Sequence, residues 1–197
     1  VFPYVLPNLR VQNPDLKIEL LSLNNVEQMR AIKKGELDIT FTRHNFHSDE
    51  IESKFVLREP LIFILPKDHP LAKYERIPVK ALNGIDFIIP AKEQSSTLHD
   101  TILEFAKANS IEFNIVQKAD NILFNINSIG MGLGCTILPG YIAPLTMNNT
   151  VIRSLDIELP YLDLYASYRK DRNSVAVDKF IELLTRVFYL DINRAEE

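Results

Sequence analysis

The sequence predicts an α/β protein of two Rossmann-like βαβ lobes joined by two crossover strands, and three observations predict it. The run from Asp15 to Arg43 alternates, breaks and alternates again, as strand, helix and strand do. The stretch from Asp86 to Leu138 repeats that rhythm without repeating the sequence. Extended apolar runs near Pro60 and again near Leu162 supply two crossings between the halves. Lobe I is therefore expected over residues 1–60 and 163–197, and lobe II over 61–162.

In chain order, the apolar opening VFPYVLPNLR, with Pro3 and Pro7, suits a loop entering a short helix. Asn13-Pro14-Asp15 is a turn. Leu16, Ile18 and Leu20 alternate with Lys17 and Glu19, the pattern of a strand with one buried face. Asn25 followed by Gln28 resembles a capping box, so a helix is expected from there, with Val26, Met29 and Ile32 on one face. Lys33 and Lys34 complement the negative helix end, and Gly35 supplies the left-handed terminating residue. Leu37, Ile39 and Phe41 complete the unit as a second strand. A right-handed crossover brings both strand ends to one sheet edge, which carries Asn24, Asn25, Thr42 and Arg43.

Beyond a polar loop at His44 to Asp49, Ile51 to Leu57 is extended and Leu61 to Leu65 reads as a strand covered on both faces. Pro78 to Leu82 suits one short helix and Asp86 to Ile89 a buried strand ended by Pro90. The next helix starts with Ser95 or Ser96 as N-cap and buries Leu98, Ile102, Phe105 and Ala106. Ile111 to Val116 alternates as a strand. Asp120 caps a helix with a stripe of Ile122, Leu123, Ile126 and Ile129. Cys135 to Leu138, Val151 to Leu155 and Leu162 to Tyr168 are the remaining strands. An amphipathic helix closes the chain, with Val177, Phe180, Ile181, Leu184, Val187 and Phe188 inward and Tyr189 and Leu190 at its edge.

Composition narrows function. Twenty-two basic residues against 26 acidic, net −4, give no long-range attraction for a phosphate backbone. The single cysteine excludes an internal disulfide framework and mildly favours a reducing compartment. No apolar run of membrane-spanning length occurs, and the opening residues do not read as a signal peptide. His44, His47, His69 and His99 lack metal-ligand spacing, and Cys135 has no neighbouring partner for a zinc or nucleophile role. Gly132-Leu133-Gly134 follows a helix and precedes a strand, the reverse of a dinucleotide fingerprint. No metal, cofactor or catalytic set is expected.

Several short motifs occur in a telling order. They are Leu6-Pro7, Asn13-Pro14-Asp15 with LKIEL, Gln28 to Gly35-Glu36-Leu37-Asp38-Ile39, Leu65-Pro66 with His69-Pro70-Leu71, and Gly132-Leu133-Gly134 before Leu138-Pro139. In this order and at this spacing the chain resembles the effector-binding domain of LysR-type transcriptional regulators, itself similar to type 2 periplasmic binding proteins. The resemblance covers nearly all 197 residues. Against the family pattern, a first strand and an N-terminal winged helix-turn-helix are absent from the sequence given, and the first helix is about one turn short.

The resemblance implies a cytoplasmic sensor that performs no chemistry, binds a small organic acid in the cleft between its lobes and reaches DNA only through an N-terminal domain. It also implies a homodimer or homotetramer and no membrane partner. The favoured effector is an aromatic or unsaturated carboxylate. The implied effector-binding residues are Asn24 and Asn25 in one loop, Arg43 as a two-pronged donor to a carboxylate, and Pro90, Ser95, Ser96 and Thr97 in another loop whose capping end offers amides and hydroxyls to an anion. Two rival readings differ in class. One is a solute-binding protein of a transport system with the same fold. The other is a hydrolase or dehydratase drawing on Asp49, Glu50 or Glu93.

Overall fold

A computed structural model describes residues 1–194, with side chains through residue 188, so the side chains of Tyr189 and Leu190 lie outside the described residues. The elements in chain order are α1 (Phe2–Gln12), α2 (Asn25–Lys34), β1 (Thr40–Thr42), β2 (Ile51–Pro66), β3 (Arg76–Ile77), β4 (Asp86–Pro90), α3 (Ser96–Ala108), β5 (Asn114–Ala119), α4 (Ile122–Gly130), β6 (Thr136–Pro139), β7 (Thr150–Leu155), β8 (Tyr161–Arg169) and α5 (Val175–Arg194). Short 3-10 helices at Pro70–Lys73, Val79–Leu82 and Gly140–Leu145 fill connections. The chain forms two compact units, Val1–Arg58 with Asp163–Glu197, and Glu59–Leu162. Both β2 and β8 run from one unit into the other.

In unit 1, β1 pairs antiparallel with β8, Phe41 opposite Ala166, and β8 neighbours β2. Val5 and Leu9 of α1 and Val177, Phe180, Ile181, Leu184 and Phe188 of α5 close over Val56, Ala166 and Tyr168. Arg172 stacks its guanidinium on the Tyr168 ring, 3.9 Å from the centroid, and binds Asp178 at 2.6 Å.

Unit 1 departs from expectation in four places. The alternating segment 16–21 is extended but joins no ladder of the described residues. Leu16 and Ile18 do pack against the core, while Leu20 and Leu21 are 58% and 55% exposed. Alternation selected the inward face, but a strand exists only when a second backbone bonds to it. The second strand is shorter and later than expected, Thr40–Thr42, and antiparallel to β8 rather than parallel to residues 16–21. The helix cap lies one residue earlier, at Asn24 with Glu27 completing the box, so Val26 turns outward and is 80% exposed. Gly35 ends the helix in the left-handed conformation, φ 71°, as expected. The extended run from Ile51 and the strand ending at Pro66 are one strand, β2, continuous through Pro60.

Unit 2 combines an antiparallel group of strands around β2 with a separate parallel pair, β4 and β5. The second half of β2 is flanked by β6, Phe63 opposite Ile137, and by β7, Phe63 opposite Arg153; β3 runs parallel to β7. The β4 and β5 strands are parallel, in register from Asp86↔Asn114 to Pro90↔Ala119. On its other side β4 bridges Cys135, and Ile88 N–H donates to the Cys135 carbonyl at 2.8 Å. Gly134 is required at this crossing, since a Cβ there would lie 2.8 Å from the Asp86 carbonyl oxygen. The strand expected at Ile111 to Val116 starts later, at Asn114, because residues 111–113 bond outside the β4 ladder, Asn83 Oδ1 accepting the Glu112 amide at 2.8 Å. The cap of α4 is Asn121 rather than Asp120, its Oδ1 accepting from Phe124 N–H at 2.8 Å, which leaves Leu123 outside the stripe and exposed. Leu98, Ile102, Phe105 and Ala106 of α3 are buried as expected, and Phe87 stacks on Phe113 at 4.0 Å. Among the described residues no helix is long and apolar enough to cross a membrane.

Candidate functional site

Parallel strands end together, so β4 and β5 present one carboxyl edge, and the two helices that follow them open there. From Ala119 only Asp120 and Asn121 intervene before α4, and from Pro90 the loop 91–95 leads into α3. This is the edge at which open α/β sheets bind ligands. The loop is held from several directions. The Ala91 amide donates to the Ala119 carbonyl at 2.7 Å, and Gln94 and Ser95 amides both donate to the Ala91 carbonyl, at 3.1 and 3.2 Å. His99 Nδ1 lies 2.8 Å from the Pro90 carbonyl, and Lys92 pairs with Asp100 at 3.0 Å.

Pro90 is buried at the strand end, and Ser95, Ser96 and Thr97 are half-buried at the start of α3. Ser95 is the N-cap, yet its side chain accepts from none of the first-turn amides. The positive end of α3 is thus not answered by its own cap hydroxyl. His99 is a positioning group that sequence spacing does not reveal, because its partner is a backbone carbonyl nine residues away.

In unit 1, α2 packs on β1. Asn24 is fully engaged as the cap, its Oδ1 accepting from the Val26 and Glu27 amides, both at 3.0 Å, while its own amide donates to Glu27 Oε2 at 3.0 Å. Only its Nδ2 donors remain for a ligand. Asn25, half-buried, is the first helical residue and not the cap. Arg43 is half-buried immediately beyond β1, whose last residue, Thr42, is buried and donates its hydroxyl to the His44 carbonyl at 2.8 Å. The structure therefore groups Asn24, Asn25 and Arg43 in one unit and Pro90, Ser95, Ser96 and Thr97 on one loop of the other.

A further polar group is invisible to periodicity, which traces the α4 stripe through Ile122, Leu123, Ile126 and Ile129. Asn125 is buried within that stripe, and neither side-chain atom has a hydrogen-bond partner. The single thiol, Cys135, is buried, and burial with Asp86 nearby pushes it up to about 12. A thiol so protonated is no nucleophile near neutral pH. Among the described residues no three His, Cys, Asp or Glu side chains gather to hold a metal ion.

Comparison with known proteins agrees over nearly the whole chain. The family described as LysR substrate binding domain matches residues 1–188. The Hca operon transcriptional activator HcaR of Escherichia coli K12 is 37% identical over 185 residues, 93% of this chain and 62% of that protein. The chain thus spans less than two thirds of that relative. Among solved structures, the Synechocystis PCC6803 CcmR regulatory domain in complex with 2-PG matches with a TM-score of 0.81 at 20% identity, covering 95% of this chain and 90% of that one. The BenM effector binding domain with its effector benzoate matches with a TM-score of 0.81 at 16% identity, covering 96% and 86%. At those identities the likeness speaks for the fold alone, an α/β fold of the type 2 periplasmic-binding-protein-like kind. With the family matched across 188 of 197 residues, this chain belongs to the LysR substrate binding domain family.

Proposed function

We propose that this chain is the effector-sensing part of a LysR-type transcriptional regulator. A small aromatic or unsaturated carboxylate is its effector. Its binding favours one arrangement of the protein, and the change is passed to DNA-binding domains of the longer polypeptide, assembled as a homodimer or homotetramer in the cytoplasm. The domain converts nothing. A ligand moves such an equilibrium only by its differential affinity for the two arrangements. A net charge of −4 suits a part that does not itself hold DNA.

The observation that carries the carboxylate is the start of α3, where Ser95 leaves the first-turn amides uncapped by its side chain at the carboxyl edge of β4 and β5. Helix starts of this kind favour anions. The effector-binding assignment remains Asn24, Asn25, Arg43, Pro90, Ser95, Ser96 and Thr97, with Arg43 as the cationic partner. Its likeness to a domain whose effector is benzoate supports an aromatic acid as the first probe.

The test is a thermal-shift screen against small carboxylates, repeated with Arg43→Ala and Thr97→Ala. An acid at about 100 times its Kd stabilises the fold by roughly 2.7 kcal/mol, a resolvable rise in Tm. The reading expects one acid class to raise Tm and both substitutions to abolish the rise. A panel of acids that leaves Tm unmoved would overturn the carboxylate and its site residues, not the fold.

A further inference from the structure

Asn125 is 1% exposed on the buried face of α4, beside Ile126 and Ile129, and neither its Nδ2 nor its Oδ1 is bonded. Ser128, one turn on, donates its hydroxyl to the Phe124 carbonyl at 2.8 Å. Buried side-chain amides almost always find partners, and an apolar residue of the same size packs here without leaving a donor and an acceptor unmet. A group retained against that penalty points to a partner that arrives from outside the chain.

Its place in the fold says where from. Asn125 is the fourth residue of α4, about 5 Å along the axis from the first. Every Cα–Cβ bond in a helix leans toward the helix amino end, so the carboxamide is tipped back toward the edge where α4 opens. That edge is the one where β4 ends at Pro90, β5 ends at Ala119 and the Ala91 amide ties the two. Because both the donor and the acceptor are unmet, the partner must answer both kinds of group. A hydroxyl does so, whereas a second carboxylate would satisfy Nδ2 and confront Oδ1, and an ammonium would do the reverse.

We propose that Asn125 is the specificity-determining contact for a hydroxyl group on the effector, so that the ligand class is a hydroxylated carboxylate. The inference rests on the carboxylate reading above, with the anionic end of the ligand at the start of α3. Since the amide is buried, the contact requires a local opening around α4, which couples recognition of the hydroxyl to a local rearrangement of unit 2.

The experiment is calorimetric titration of the full chain with benzoate, 3-hydroxybenzoate and 4-hydroxybenzoate, in the native sequence and in Asn125→Leu and Asn125→Ala. A site built to bond a hydroxyl discriminates strongly against the analogue that lacks it. The expected result is at least one hydroxybenzoate binding about tenfold or more tighter than benzoate to the native chain, with that advantage lost in both variants and benzoate binding unchanged. A native chain without the preference, or a preference that survives in the variants, overturns the assignment while leaving the carboxylate reading intact. Variants that fail to fold or lose benzoate as well also overturn it, making Asn125 a structural amide satisfied by internal water. If none of the three acids binds the native chain, the carboxylate reading itself falls and this inference with it.

Discussion

Residues 16–21 of unit 1 and β4 of unit 2 are both short apolar stretches with a single acidic or basic interruption at most every second position, yet their fates differ. β4 is bonded along one side to β5 and bridged on the other at Cys135, and Phe87, Ile88 and Ile89 are buried. The 16–21 segment has no ladder among the described residues, and its last two leucines face outward. Alternation tells which face a backbone would bury. Whether it becomes a strand depends on a neighbour that the segment itself does not encode.

The largest expected effect tests the ordered side of that contrast. Phe87 is fully buried in β4 and stacked on Phe113, so Phe87→Ala should cost about 3–5 kcal/mol, read as a lowered denaturation midpoint. A loss below about 1 kcal/mol would mean that β4 is no more fixed than the unpaired segment.

Alkaline titration separates the two cores next. In unit 2, burial and then Asp86 raise Cys135 from 9.0 to about 12; in unit 1, burial, then the hydrogen bond from Tyr168 to Glu52, raise Tyr168 from 10.0 to about 12. Both groups keep their protons in the fold after the unfolded chain has released them. The folded state therefore binds more protons in each window, and stability falls as pH rises. The decline should begin near pH 9 and end near 12, and Cys135→Ala should delay its onset to near 10. Tm measured from pH 8 to 12 checks this, and an unchanged onset in the variant would show that Cys135 is not protected.

The two helix starts give the third contrast. Asn24 closes α2 with two accepted amides and a reciprocal bond to Glu27, whereas the Ser95 side chain caps no amide of α3. Asn24→Ala should therefore cost about 1 kcal/mol. Ser95→Ala should stay within about 0.5 kcal/mol in the absence of ligand. Equal losses at the two positions would mean that Ser95 is a cap after all, and would remove the reason for placing an anion there.

What was legible in the sequence follows the same physics. Helix stripes were readable wherever one element supplies its own evidence, as with Leu98, Ile102, Phe105 and Ala106, and so was the terminating Gly35. Caps were misplaced by one residue at both Asn24 and Asn121, because two candidate cap residues stand side by side at each start and only the amide geometry separates them. Ladder partners were not readable from local pattern, so the antiparallel pairing of β1 and β8, more than a hundred positions apart, came only from the fold. At the site, the loop 90–97 was legible as a strand-to-helix turn. Asn125 was not, since an asparagine in an apolar stripe reads as a gap in the pattern until its burial and unmet bonds are known.

The smallest expected effect probes the unpaired side of the first contrast, and it is the most discriminating for that reason. Leu20→Ser would cost a paired, half-buried strand a large part of its burial energy, some 1.5–3 kcal/mol for a fully covered leucine. With Leu20 58% exposed and its backbone outside every described ladder, little apolar surface is given up, and the change should fall within about 0.5 kcal/mol. Leu16→Ser is the internal control, since Leu16 packs on the unit 1 core from the same segment and should lose measurably more. Two equal, large losses would show that residues 16–21 are covered on both faces in solution, and the distinction between a pattern that faces a core and a strand that has a partner would not hold for this protein.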